Sequence, residues 1–164
     1  VASDANTVVL ATAVCEYTPH YLPRKTDDDD PFLPLTVDFR EKSSAAGLIP
    51  HNFARREIQP RDSEILTSRM IDRAIRPLFP KALAKECEGI QITCTTLAYD
   101  EVGDVQVLAL NSVFAALNMA ATTGKFPWNG PLGATRVGMK SNGELVSMPC
   151  LEMQVEDLEP EVLP

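Results

Sequence analysis

Residues 105–121 are the most demanding stretch of this chain. Val107, Leu108, Leu110, Val113, Phe114, Leu117 and Met119 spread apolar side chains nearly all the way round a helix that Asp104 can cap. Such a helix must be covered on most of its circumference, so it predicts a central position against a sheet. The rest of the chain offers strands to build one. Residues 7–15 are rich in β-branched and small apolar side chains and predict a buried strand, with residues 32–39 as its neighbour and another strand over 89–99. A turn over 127–133 leads to two short strands, 134–140 and 144–148, and Ser141-Asn142-Gly143 between them is a hairpin signal. The expected fold class is α+β, a mixed sheet packed with helices.

Basic charge is concentrated in one segment of an otherwise acidic protein. The chain holds 15 Lys+Arg against 23 Asp+Glu, a net charge of −8, yet Arg55, Arg56, Arg61, Arg69, Arg73 and Arg76 follow one another closely. Guanidinium forks grip phosphate oxygens in pairs, so this segment suits a polyanion. Asp62 or Ser63 can cap a helix here, Glu64 suits the positive end of its dipole, and Pro77 stops it. On that helix Arg69, Arg73 and Arg76 share one side, while Leu66, Met70, Ile71, Ala74 and Ile75 are expected to pack. The same arginines also fit a solvated face, with Asp72 pairing to Arg69 or Arg76. Arg55 and Arg56 precede the helix, on what should be a loop, where contacts are more common than packing.

Several function classes are narrowed by composition. With 164 residues and 45% hydrophobic content, and a mean hydropathy of −0.07, one soluble domain over residues 1–150 is expected. No run approaches the roughly 18 to 20 uninterrupted apolar residues of a membrane helix, so no membrane span is expected. Residues 151–164, with Glu152, Glu156, Asp157, Glu159, Glu161, Pro160 and Pro164, read as an acidic tail or linker. The acidic run Asp27 to Asp30 reads as a solvated insertion. Cys15, Cys87, Cys94 and Cys150 are too scattered for a zinc knuckle, and His20 and His51 lie in no ligand pattern, so no metal site is expected in this segment. Cys15 and Cys94 are expected to behave as small buried hydrophobes in a reducing compartment.

Ile65-Leu66-Thr67-Ser68-Arg69-Met70-Ile71-Asp72-Arg73-Ala74-Ile75-Arg76-Pro77-Leu78-Phe79-Pro80 closely resembles a signature of the first core domain of the polynucleotide phosphorylase family, within the RNase PH superfamily. Further similar stretches occur in family order. Residues 6–14 resemble the family's first such strand, with Asn6 where the family has Asp. Residues 34–42 are similar to its second strand, Ala45 to Pro50 leads into the arginine loop, and residues 126–134 match a later turn.

This resemblance implies an RNase PH-like fold, the superfamily known as ribosomal protein S5 domain 2-like, incomplete at both ends and with open strand edges that depend on a partner chain or on further polypeptide. It also implies a phosphorolytic 3′-to-5′ exoribonuclease that releases nucleoside diphosphates, with inorganic phosphate as nucleophile and Mg²⁺ assisting. In the family, phosphate and metal sites belong mainly to the second core domain. The resemblance therefore assigns no catalytic residue here and makes this segment, taken alone, inactive. Its implied partner is single-stranded RNA, threaded through a homotrimeric ring or larger assembly. The family's Phe-Phe-Arg-Arg loop reads Phe53-Ala54-Arg55-Arg56, so Phe53 can stack on a base and Arg55 and Arg56 can take phosphates. Phe53 equally suits a cover for the core, and Ala54 removes one aromatic. Arg69, Arg73 and Arg76 complete the candidate RNA-binding set. A mitochondrial or other organellar matrix is the implied location, with the bacterial cytoplasm as alternative. Two other readings stay open: a non-catalytic, RNA-contacting subunit of a larger ribonucleoprotein, and an RNase PH or exosome ring subunit.

Overall fold

The structure, a computed structural model, describes residues 1–4, 6–17, 32–50, 57–100, 102–124, 126–140 and 143–147. The expected tail over 151–164 lies outside them, as does the acidic run at 27–30.

Four strands form the main sheet: β1 (Ala2–Asp4), β2 (Thr7–Tyr17), β3 (Leu35–Glu41) and β4 (Cys87–Ala98). Their spatial order is β1-β2-β4-β3, antiparallel except for the parallel β3/β4 pair. The expected strand at 32–39 therefore does not neighbour β2, because β4 lies between them. The reason is the crossover. Parallel neighbours need a long connection, and helix α1 (Asp62–Ile75) supplies it between β3 and β4. β4 also merits the central place, since Ile90, Ile92, Cys94 and Thr96 along its inner face are all but sealed from solvent.

Both long helices contribute to one core. α1 packs over β3, and α3 (Val105–Thr122) packs mainly over β2, after a short α2 (Leu83–Glu86). Val9, Phe39, Ile71, Ile75, Ile90, Ile92, Val113 and Leu117 meet between helices and sheet. α3 begins where expected. Asp104 accepts from the Gln106 and Val107 N–H groups at 3.1 and 3.2 Å, satisfying donors that the first helical turn leaves open. It is less enclosed than its composition predicts, for Met119 is 72% exposed. α3 is long and apolar enough to span a membrane by length and composition, with a mean hydropathy of 1.4, but here it is a core helix seated on the sheet.

The 126–134 turn is fastened to α3. Asn111 uses both ends of its amide on Ala134, donating to the carbonyl at 2.9 Å and accepting from the N–H at 2.8 Å. Trp128 donates its indole N–H to Asn118 at 2.8 Å, and Phe79 packs between Trp128 and Phe126. The chain then makes the expected hairpin, β5 (Val137–Met139) with β6 (Leu145–Ser147), as a separate two-stranded sheet. Gly143 takes φ 82°, a conformation open to glycine without a Cβ penalty. The paired cores are shorter than the alternating sequence on either side.

Candidate nucleic-acid interface

α1 carries the arginines, and its packing decides which of them face outward. The buried side is Glu64, Thr67, Ile71 and Ile75. Leu66 and Met70, expected among the packing residues, instead stand 64% and 40% exposed. Helical spacing explains the difference. At 3.6 residues per turn, Leu66 falls only about 20° from Arg73, whereas Ile71 and Ile75 lie across the axis from it. The outer face is thus mixed, with Arg69 and Arg73 exposed beside Leu66 and Met70.

Polar anchors hold both ends of this helix. At its start the N-cap is Arg61, one residue before Asp62 and two before Ser63, the caps expected from sequence. Its N–H donates to Glu64 at 2.6 Å, and the other oxygen of the same carboxylate accepts from Glu41 N–H at 2.7 Å. One buried carboxylate therefore ties the end of β3 to the first turn of α1. Arg61 reinforces the tie by donating to the Glu41 carbonyl. In the middle, Ser68 accepts from Phe39 N–H at 3.0 Å. Only a first-turn acid was legible at Glu64; its bond to Glu41 has no signature in the sequence, because it depends on how β3 lies against α1.

Arg76 closes the far end. It donates to both oxygens of Asp72, at 3.0 and 2.7 Å, and to the carbonyls of Leu33 and Leu35, at 3.0 and 3.3 Å. Its guanidinium also stands 4.9 Å from the Phe32 ring centre. Of the two Asp72 pairings considered from sequence, the one with Arg76 forms. Arg76 thus has a structural task, with four hydrogen bonds to protein acceptors. Arg69 and Arg73 differ: among the described residues neither has a hydrogen-bond or ion-pair partner. Four residues apart, they project as neighbours, with Cβ atoms on the order of 5 to 6 Å apart. That pair can present two guanidinium forks to one extended polyanion.

The chain on either side of residues 51–56 is tied together. After β3 a short 3₁₀ turn, Ser43–Ala46, ends at Gly47 with φ 70°. Glu57 returns to it, accepting from Ser43 N–H at 2.9 Å and from the Ser43 hydroxyl. The hydroxyl bond is the main cause that lowers the Glu57 carboxyl below its ordinary range. Phe53, Arg55 and Arg56 lie outside the described residues. Across the sheet, the Thr7 hydroxyl donates to Asp100 at 2.7 Å, and Gly103 N–H donates to the same oxygen at 3.1 Å. These bonds, the hydroxyl foremost, hold the Asp100 carboxyl at about 2. Among the described residues no group of three or more His, Cys, Asp or Glu side chains is placed to hold a metal ion.

A mixed sheet with a β3-α1-β4 crossover and two helices on one face defines the RNase PH-like α+β class. The family model "3' exoribonuclease family, domain 1" matches residues 2–122, and the chain belongs to that family. It is 44% identical over 155 residues to the polyribonucleotide nucleotidyltransferase of Phenylobacterium zucineum, covering 94% of this chain and 20% of that protein. To the mitochondrial polyribonucleotide nucleotidyltransferase 2 of Arabidopsis thaliana it is 41% identical over 153 residues, covering 93% of this chain and 14% of that protein. The chain thus spans a fifth or less of the curated relatives it matches. Among solved structures, rice Rrp46 superposes with a TM-score of 0.65 at 15% identity, over 94% of this chain and 63% of Rrp46. The Archaeoglobus fulgidus exosome, solved with RNA bound to the active site, gives 0.55 at 15% identity, over 90% of this chain and 59% of that one. At such identity these two likenesses show the fold alone.

Proposed function

We propose that this domain is the RNA-gripping, non-catalytic first core domain of a phosphorolytic 3′-to-5′ exoribonuclease. The observation that carries the reading is the 44% identity to a polyribonucleotide nucleotidyltransferase across nearly the whole chain. Arg69 and Arg73, together with Phe53, Arg55 and Arg56 of the preceding segment, contact single-stranded RNA. Phosphates take the arginines and a base stacks on Phe53 without regard to its identity. Arg76 contributes by fixing the helix that carries the first two. Threading along a local basic track suits a chain of net charge −8, since charges beyond about 8 Å are screened at physiological salt.

Phosphate attack on the terminal linkage takes place on other parts of the polypeptide, where Mg²⁺ also binds. The working form is a homotrimeric ring, in an organellar matrix or, for a bacterial source, in the cytoplasm. Relatives of both kinds, bacterial and mitochondrial, fit this placement. The exosome-subunit alternative is less well supported, because its structural likeness rests on 15% identity.

The test is to incubate the full polypeptide, and separately this chain, with poly(A), phosphate and Mg²⁺ and to follow ADP. Release by the full protein and none by the chain is expected. Turnover by the chain alone would overturn the non-catalytic assignment, and no ADP from the full protein would favour a non-catalytic subunit of a ribonucleoprotein.

A further inference from the structure

Cys15, expected to be a small buried hydrophobe, meets Cys87 across the sheet. In the β2/β4 pair, Cys15 lies opposite Ile90 and Glu16 opposite Gly89, but Tyr17 lies opposite Cys87. Glu88 is the extra residue of a β-bulge. In an unbroken ladder, Cys87 would point to the opposite face from Cys15, since side chains alternate with a period of two. The bulge reverses that parity and turns Cys87 inward, beside Cys15. Burial follows the same shift: Cys87 and Ile90, three residues apart, are both buried, and Glu88 between them is exposed. The two sulfurs stand 2.7 Å apart.

Access is graded in the order that exchange chemistry requires. Cys15 is partly exposed and Cys87 is buried behind it. Cys94, farther along β4, is fully buried, contacts the Ser112 hydroxyl at 3.8 Å, and has its thiol pushed up to about 11 by desolvation. A thiol held protonated and out of solvent does not attack disulfides, so Cys94 is a built-in control.

We propose that Cys15 and Cys87 are a redox-active pair that closes to a reversible disulfide between β2 and β4 when a low-molecular-weight disulfide is supplied. Cys15 thiolate attacks one sulfur of that oxidant, forming a mixed disulfide and expelling one small thiolate. Cys87, as thiolate, then attacks the Cys15 sulfur and expels the second. Two cysteine thiols are oxidised, the oxidant is reduced to two thiols, and the two cysteine protons pass to the released thiolates. The residues lie 72 apart in sequence, so the bond closes a loop that holds β3 and α1 with all the arginines considered above. Closing so long a loop removes freedom from the unfolded chain, and the oxidised form should be the more heat-resistant.

The experiment uses the full polypeptide equilibrated in oxidised and reduced glutathione, followed by alkylation of remaining thiols, digestion without reductant and mass analysis. A peptide joining Cys15 to Cys87 is expected, with Cys94 alkylated only after denaturation. The oxidised protein should melt higher than the reduced one by roughly 4 °C or more. Cys15→Ser should abolish that difference and Cys94→Ser should keep it. Glutathione retained on Cys15 with Cys87 still alkylated, a bond from Cys15 to Cys150, or no thiol loss in excess oxidant would each overturn the proposal. Mapping of the unsubstituted protein decides the matter even if a serine variant fails to fold.

Discussion

α1 and α3 lie on the same face of the same sheet but are held there by different forces. α3 is retained by apolar burial along its length, with Val107, Ala109, Val113, Phe114 and Leu117 all turned inward. α1 buries only Ile71 and Ile75 among large apolar side chains and depends on polar clamps at its two ends. The difference teaches how a helix can remain fixed while its outer face stays charged. These anchors all engage the inner side or the ends of the helix, which leaves its outer face clear for Arg69 and Arg73.

The largest expected effect tests the apolar half of this comparison. Leu117→Ala in α3 should cost about 2 to 5 kcal/mol, measured by urea unfolding, because it opens a cavity at a fully buried site. Next comes the clamp. Arg76→Ala strands Asp72 and deprives two carbonyls of a donor, so it should cost about 1 to 3 kcal/mol in the same assay. Arg76→Lys should recover only part of this, since an ammonium cannot reproduce the two-pronged grip on Asp72.

A smaller effect tests the fastening of β2 to the end of β4. The folded-state value of Asp100 is depressed from an ordinary 3.8 to about 2. Its contribution is therefore fully present above pH 4 or so, and is lost as pH falls through the folded value toward about 2. Thermal melting over that range should show the loss, and Asp100→Asn should flatten it.

Features set by neighbouring residues were legible in the sequence. The Asp104 cap, the reach of α3, the stop at Pro77 and the 141–143 turn depend on a few consecutive side chains, and the structure agrees with each where it describes them. Features that require two distant segments to meet were not. The place of β4 between β2 and β3 follows from a crossover, and the burial of Glu64 follows from where Glu41 lies. The outward turn of Leu66 and Met70 was available in principle, but counting apolar residues hid the angle between them and Ile71. Cys94 is buried as expected. Cys15 is only partly buried, and its meeting with Cys87 depends on a bulge in β4 that the sequence does not announce. The family's motif carried the candidate site, and only the fold separated its structural arginine from its outward pair.

The most direct measurement separates those arginines in one experiment. In the full protein, single-stranded RNA affinity is titrated against salt for Arg69→Gln with Arg73→Gln, beside the parent and beside Arg55→Ala with Arg56→Ala. If Arg69 and Arg73 each meet a phosphate, the slope of log affinity against log salt should flatten by about 1.4, at roughly 0.7 per single-strand contact. Unfolding free energy should stay within about 0.5 kcal/mol of the parent, as befits exposed side chains outside the clamps. An unchanged slope in the folded Arg69/Arg73 variant, with the loss confined to the Arg55/Arg56 variant, would contradict a helical grip and leave the loop as the RNA contact.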